Sequence, residues 1–320
     1  MLNKPTLPRR PLIVRLCNMV GDVVLGLPAL QLLEAQGYDL HLYGKGWAKT
    51  LLAGHDWPCT TRAGKLGARV DQLRQLRQQC LQADPSFDNR VNTLVMPNSF
   101  SSAFEMRWAG LKPAGYARDG RSLLLAKAWR PSPPAHAVDG FWELATRLTT
   151  QPQPTPDHIH LKVPAQAQDQ ADKLLAAHGI HNGFICIVPY AAGDVDGKDK
   201  RWPEFAAFTR QLAAVHPKRQ IITCPGPGEN DIARLDHPAA LLLPGVALDV
   251  YLGILQRAAL VISNDTGPAH MAAAVGAPVL SVLGPTNPDQ WRPWGPQNRI
   301  AQGAHRQWPS VDAVMDMVSS

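Results

Sequence analysis

The sequence predicts an α/β protein built from two doubly wound domains, each a parallel sheet with helices on both faces. Three observations predict it. Short apolar, β-branched runs alternate with helix-length segments along the chain. Gly, Pro, Asn or Asp punctuates the ends of these runs. A stretch with three prolines and few apolar residues, TTQPQPTPDHIH (149–160), separates two such series. At 320 residues, each half is long enough to bury its own core.

The elements follow in order. PLIVRL (11–16) reads as a strand, and CNMVGDVVLGLPALQLLEAQG (17–37) as a loop and helix closed by Gly37. DLHLYG (39–44) alternates like the next strand. Residues 71–83 place Leu73, Leu76, Cys80 and Leu81 on one helical face. VNTLVMP (91–97) is a further strand and HAVDGFWELATRL (136–148) a helix. Beyond the linker, 166–178 reads as a helix closed by Gly179, and FICIVP (184–189) as a strand. RWPEFAAFTRQLAAVHP (201–217) is a helix with Pro203 at its start and Pro217 after its end. RQIITC (219–224) is a strand, followed by a Gly/Pro turn and a short helix. The segment VISNDTGPAHMAAAVGAPVLSVLGPTNP (261–288) closes the series as strand, turn, helix and strand. Its helix carries four alanines before Gly276, and its turn directs backbone N–H groups beyond the strand's C-terminal end. That is a site for an anion, most often a phosphate. Boundaries of 1–155 and 156–320 follow, with ligands expected beyond the strand C-termini and in a cleft shared by the domains.

Composition bounds the function. An apolar content of 45% and a charged content of 18% describe a soluble globular protein. No apolar run approaches the roughly 20 residues that span a bilayer. The apolar run after the basic start MLNKPTLPRR is too short for a secretory signal. Five cysteines (Cys17, Cys59, Cys80, Cys186, Cys224) make an odd number without a CxxC pair, which suits reduced thiols and a cytoplasmic location. Residues 1–160 hold 19 Lys+Arg against 12 Asp+Glu, a balance of +7, whereas 161–320 hold 13 against 14. The excess in the first half suits an anionic partner there: nucleic acid, anionic lipid or a phosphorylated glycan, or simply a basic surface. No nucleic-acid-binding motif is present, which disfavours the first. The GxGxxG of dinucleotide folds, the P-loop, HExxH and GxSxG are also missing. DHIH (157–160) lies in the Pro-rich linker and reads as solvated loop rather than metal site.

Candidate site residues lie at predicted strand ends. Asp22, after the first strand, is either a helix cap or a general base taking a proton from a hydroxyl nucleophile. Lys200, in a polar loop just before a helix, is either an exposed lysine or a cation for a phosphate. Trp202 beside it reads as packing. Glu229 follows a turn with two glycines and could stabilise a helix start or accept bonds from ribose hydroxyls. Asp265 and Thr266 are good N-cap types, and Gly267 opens the helix. His270 lies four residues after Thr266, on the same face, and is either structural or a phosphate contact.

Together these motifs resemble the heptosyltransferase family of bacterial lipopolysaccharide synthesis, over nearly the whole chain and in the expected order. VRLCNMVGDVVLGLPAL looks like the family's opening strand and Gly-Asp loop. KDKRWP looks like its Lys-x-Trp-Pro element, and GPGEND like its ribose-binding segment. SNDTGPAHMAAAVGAPVLSVLGPTNP closely matches its Asp-[Ser/Thr]-Gly-x-x-His signature and trailing Gly-Pro-Thr, the most specific of the matches. GYARDGRSLLL with HAVDGFWELATRL is similar to its acceptor-side region.

The resemblance implies a GT-B fold: two Rossmann-like domains facing a central cleft, acceptor domain first and nucleotide-sugar domain second. It implies inverting transfer of a heptose from ADP-heptose to the lipopolysaccharide inner core, without cofactor or metal. Asp22 would be the catalytic base. Lys200, Glu229, Asp265, Thr266, Gly267 and His270 would bind the donor. Arg118 and Arg121 are the acceptor-side candidates. The setting would be cytoplasmic, at the inner face of the cytoplasmic membrane where the acceptor is anchored, and the C-terminal helix (306–319) would pack back on the first domain. The loop AAGDVDG before Lys200 is longer than the family pattern. Two other readings stand beside this one: a different GT-B enzyme, transferase or epimerase, using another nucleotide sugar, and a non-catalytic nucleotide-binding protein.

Overall fold

The computed structural model describes residues 9–133, 136–149 and 153–319. The start of the basic N-terminal stretch (1–8) and residues 150–152 of the Pro-rich linker lie outside them. The chain divides into two compact units, Met1–Pro156 and Asp157–Ser320.

The first unit is a six-stranded, all-parallel sheet in the order β3-β2-β1-β4-β5-β6. Its strands are β1 (Arg10–Arg15), β2 (Tyr38–Gly44), β3 (Cys59–Thr61), β4 (Thr93–Val95), β5 (Pro113–Tyr116) and β6 (Lys127–Trp129). The helices between them are α1 (Val20–Leu25), α2 (Leu27–Ala35), α3 (Gly46–Leu51), α4 (Leu66–Ala83), α5 (Phe100–Trp108) and α6 (Ala137–Thr146). Leu12, Ile13 and Val14 of β1 are completely buried, as expected for a strand covered on both faces. The single predicted helix after β1 is two helices. A Cβ at Gly26, between them, would collide with the Met96 side chain, and Pro28 opens the second helix.

Helix α6 is tied to β5 through Glu143. Its carboxylate accepts hydrogen bonds from Tyr116 Oη (2.7 Å), Ser132 Oγ (2.7 Å) and the Arg147 guanidinium (2.6 Å). Burial alone would raise its pKa, but these donors outweigh it and hold the carboxyl at about 2. The stabilisation is therefore present above the ordinary value of 4.5 and lost as pH falls toward 2. Acid titration of the unfolding free energy should show this loss in wild type, and Glu143→Gln should flatten it.

The second unit repeats the plan, with order β11-β10-β7-β12-β13-β14 and every pairing parallel. In chain order it comprises α7 (Ala165–Ala177), β7 (Ile185–Val188), a two-stranded hairpin of β8 (Asp194–Val195) and β9 (Lys198–Asp199), and α8 (Phe205–Val215). Then come β10 (Ile221–Thr223), α9 (Asn230–Asp236), β11 (Leu241–Leu242), α10 (Leu248–Arg257) and β12 (Leu260–Ser263). The unit ends with α11 (Gly267–Ala274), β13 (Val279–Leu283), α12 (Pro288–Trp291), β14 (Asn298–Gln302) and α13 (Val311–Ser319). Gly276 has φ +86°, the left-handed stop expected after α11.

The hairpin explains the long loop before Lys200. Asp196 (φ 53°) and Gly197 (φ 74°) form its two-residue turn, and Asp-Gly is the pair that tolerates positive φ at both positions. Val314, Met315 and Val318 of α13 pack with Phe205, Phe208 and Leu212 in the second unit's own core, because these apolar residues recur at helical spacing and match the open face of α8. The second unit's core therefore includes this helix.

Candidate active site

In each unit the strand order reverses once, between β1 and β4 in the first and between β7 and β12 in the second. Loops leaving adjacent strands at such a point diverge to opposite faces and leave a crevice. Asp22 follows β1 at the first of these points and Lys200, Asp265, Thr266, Gly267 and His270 lie at the second, whereas Glu229 follows β10 and Arg118 and Arg121 follow β5.

In the second unit, Lys200 follows the β8–β9 hairpin inserted after β7 and Asp265 leaves β12, and they meet. Lys200 Nζ donates to Asp265 Oδ2 at 3.0 Å, with both side chains mostly buried. Thr286 Oγ1, from the Gly-Pro-Thr turn after β13, donates to the same oxygen at 2.8 Å. That turn is strapped to β14 by Gln302, whose Nε2 donates to Gly284 O (2.7 Å) and Thr286 O (2.9 Å). Asn264, fully buried, fixes the two crevice loops together: its amide donates to Pro189 O, and its Oδ1 accepts the Trp202 N–H at 3.0 Å. Trp202 Nε1 in turn donates to Pro309 O at 3.2 Å. Lys200 therefore projects from a segment anchored two residues later. Neither Asn264 nor Thr286 was singled out from sequence. Each stands within a recognised motif, but their roles need the partner loops.

Thr266 is the N-cap residue of α11 by position, yet its side chain does not cap the helix, and the Asp265 carboxylate faces Lys200 and Thr286. Gly267 is the first helical residue. His270 lies on the first turn of α11 and is only 6% exposed. Glu229 occupies the N-cap of α9, and its carboxylate folds back to accept the Gly226 N–H at 2.7 Å. The Asp194-Val-Asp196 pair sits on the hairpin, where Asp194 accepts the Gly197 N–H at 2.9 Å. Among the described residues no group of three or more His, Cys, Asp or Glu is arranged to hold a metal.

A cavity of about 850 Å³ opens within the second unit, lined by Tyr190, Arg201, Trp202, Asp236, His237 and Trp308 among others. Its size suits a ligand. Its lining omits Lys200, Asp265 and Glu229, so cavity volume and the convergent polar groups point to different places. The convergence at the strand-order reversal is the stronger guide, because chemistry requires charged groups held in register.

In the first unit, Asp22 is within the first turn of α1, the helix leaving β1, rather than in a preceding loop. Met19 is the N-cap residue of this helix. The turn before it is held by Arg15, which is 1% exposed. Arg15 donates to Leu16 O, to Asn18 Oδ1 (3.1 Å) and to Glu105 Oε1 (2.8 Å). Glu105 also has Arg69 at 3.6 Å and Arg62 at 4.0 Å. One buried carboxylate thus faces three guanidinium groups. Burial, followed by repulsion from Arg15, lowers the Arg62 pKa. Sequence gave no pointer to it, since its members are up to ninety residues apart.

The two proposed acceptor arginines separate. Arg118 is exposed on the loop after β5. Arg121 is completely buried, and its guanidinium donates to Tyr116 O (2.8 Å), Pro97 O, Ser102 Oγ (3.4 Å) and Asn98 Oδ1 (3.5 Å). Burial lowers its pKa to about 10. Arg121 is a strut for the 97–98 loop, and its expected contact with an acceptor is corrected.

Comparison with known proteins identifies the fold and the family. The chain is 23% identical over 301 residues to lipooligosaccharide heptosyltransferase 2 of Haemophilus influenzae, spanning 86% of this chain and 84% of that one. It is 30% identical over 146 residues to lipopolysaccharide heptosyltransferase 3 of Escherichia coli, a match spanning 42% of this chain and 41% of that relative. Among solved structures, E. coli ADP-heptose lipopolysaccharide heptosyltransferase II superposes with a TM-score of 0.76 at 20% identity, over 97% of each chain. An E. coli heptosyltransferase with ADP-2-deoxy-2-fluoro heptose gives 0.70 at 19% identity, over 97% of this chain and 99% of that one. These likenesses show the fold, GT-B. The sequence model of glycosyltransferase family 9 (heptosyltransferase) matches residues 87–317, from the strand before α5 to the last helix and through every second-unit motif described above. The chain therefore belongs to glycosyltransferase family 9 (heptosyltransferase), and it is a glycosyltransferase.

Proposed function

We propose that this enzyme transfers a heptose from ADP-heptose, with inversion, to the inner core of lipopolysaccharide. The observation that carries the reading is the meeting of Lys200, Asp265 and Thr286 where the second sheet reverses its order. A lysine held beside a helix start is suited to a diphosphate, and an adjacent carboxylate to sugar hydroxyls. The related names support the substrates: the relatives act on lipopolysaccharide or lipooligosaccharide, and one neighbour holds a fluorinated ADP-heptose.

In this mechanism the second unit binds the donor. Lys200 and the α11 start at Thr266–Gly267 meet the charge that grows on the leaving diphosphate, with His270 beneath them. Glu229 accepts from the ribose hydroxyls once it exchanges its bond to Gly226. Asp22 takes the proton of the acceptor hydroxyl as that oxygen attacks the anomeric carbon opposite the diphosphate, through an oxocarbenium-like transition state. The anionic acceptor docks on the basic first unit, at Arg118 and at the partly exposed Arg62 and Arg69.

Calorimetric titration with ADP, UDP and NAD tests the donor class. ADP should bind selectively, and Glu229→Gln should weaken it by about three- to tenfold through the ribose contact. Preference for UDP would move the enzyme to another nucleotide sugar, and binding of none would overturn the assignment of the donor site.

A further inference from the structure

Helix α5 carries Phe100, Phe104 and Trp108 at four-residue spacing. Four residues advance a helix by about 400°, so the three rings lie within an arc of about 80°. They also pack on one another, Phe100 stacked on Phe104 at 6.2 Å and Phe104 edge-on to Trp108 at 5.1 Å. The opposite face of the helix, through Ser102, Ala103, Glu105 and Met106, is the one that is buried. The aromatic stripe faces outward instead: Phe100 is 48% exposed and Trp108 54%. The 3-10 turn Arg121–Leu124, which packs against α5, presents Leu123 at 95% exposure. Phe104, between Phe100 and Trp108, is half-buried and supports both rings, and such a stripe of large aromatic side chains marks a surface with a partner.

The charge around it selects the partner. Residues 97–133 hold six Lys+Arg against two Asp+Glu. Glu105 is consumed by the buried pair with Arg15, and Arg121 is itself buried. What remains exposed is Arg107, Lys112, Arg118, Lys127 and Arg130 against Asp119 alone. Arg107 directly flanks the aromatic stripe on the helix. Aromatic rings on an outward helix face amid exposed cations suit the headgroup layer of an anionic bilayer, where rings insert and cations meet lipid phosphates. A second copy of this chain suits it less, because a two-fold interface would set the cations against themselves.

We propose that the α5 stripe, with its surrounding cations, is the surface by which this enzyme docks on an anionic lipid bilayer. Docking there concentrates the enzyme on the surface that holds lipid-anchored molecules. The proposal does not depend on which sugar is transferred.

The test is co-sedimentation of the full chain with vesicles of phosphatidylethanolamine and phosphatidylglycerol, compared with phosphatidylcholine alone. Wild type should bind the anionic vesicles, more weakly as salt rises, and bind phosphatidylcholine poorly. The triple variant Phe100→Ser/Phe104→Ser/Trp108→Ser should bind at least about tenfold more weakly, since each ring loses its apolar insertion. Trp108→Phe should retain binding, and Arg107→Glu/Lys112→Glu should weaken binding to anionic vesicles and reduce its salt dependence. Unchanged circular dichroism and ADP affinity in each variant separate docking from misfolding and from the donor site. Absence of wild-type binding, or equal binding by the triple variant, overturns the proposal. So does a concentration-dependent dimer that the triple variant abolishes while vesicles fail to bind.

Discussion

Replacing Asp22 with asparagine is expected to lower kcat by about a hundred- to ten-thousand-fold while leaving ADP affinity unchanged. Asparagine keeps the shape of the side chain and its place in the first turn of α1. It cannot accept the proton that the attacking hydroxyl must release. The preceding turn is held by Arg15 and Asn18, and unchanged circular dichroism together with unchanged ADP affinity would separate chemistry from folding. Steady-state kinetics with the acceptor, alongside calorimetry with ADP, separates the two effects. A rate within a few-fold of wild type would remove Asp22 from the mechanism. Loss of rate with loss of ADP binding would point to a misfolded protein instead.

Lys200→Ala is the second large effect. In the proposed mechanism the ammonium group would supply one charge-assisted contact to the diphosphate, worth roughly 1.5–3 kcal/mol, so ADP affinity should fall by about ten- to a hundredfold. The geometry predicts a further consequence. Without Lys200, the Asp265 carboxylate retains Thr286 as a donor but keeps its full charge beside the phosphates. The double variant Lys200→Ala/Asp265→Asn should therefore recover part of the ADP affinity lost by Lys200→Ala. A double-mutant cycle on ADP dissociation constants reads this coupling directly. Additive effects would mean that the pair seen at 3.0 Å does not govern diphosphate binding.

Both experiments address positions that the sequence already marked, and the reason is local. Long apolar runs such as those of β1, β7 and β13 are buried on both faces, so burial writes itself into composition over consecutive residues. Strand ends in doubly wound sheets carry ligand loops, so Asp22, Lys200, Glu229 and Asp265 could be located from strand and turn alone. The short strands β3, β5, β6 and β11, of two to four residues, left no comparable trace. None of them contains Val or Ile, unlike the equally short β4 and β10, and pairing with a neighbour supplies their order. The hairpin turn at Asp196-Gly197 was legible as a dipeptide but reads as loop until its flanking strands are seen to pair.

What the sequence by itself determined is therefore the α/β alternation, the division near residue 156 and the strand-end positions of the polar residues, because each is set by neighbours along the chain. Only the tertiary structure decided which of those residues act together. Arg118 and Arg121 are three residues apart and equally basic, yet one is exposed and the other is a fully buried strut donating to four acceptors, three of them within residues 97–102. Asp265 has the composition of a cap but is turned toward Lys200, 65 residues away in sequence. Helix α13 is amphipathic wherever it docks, and the open face of α8 chose its partner. Propensity and periodicity are properties of short segments; hydrogen-bond partners and the complementarity of two apolar faces arise only when segments distant in sequence are brought together.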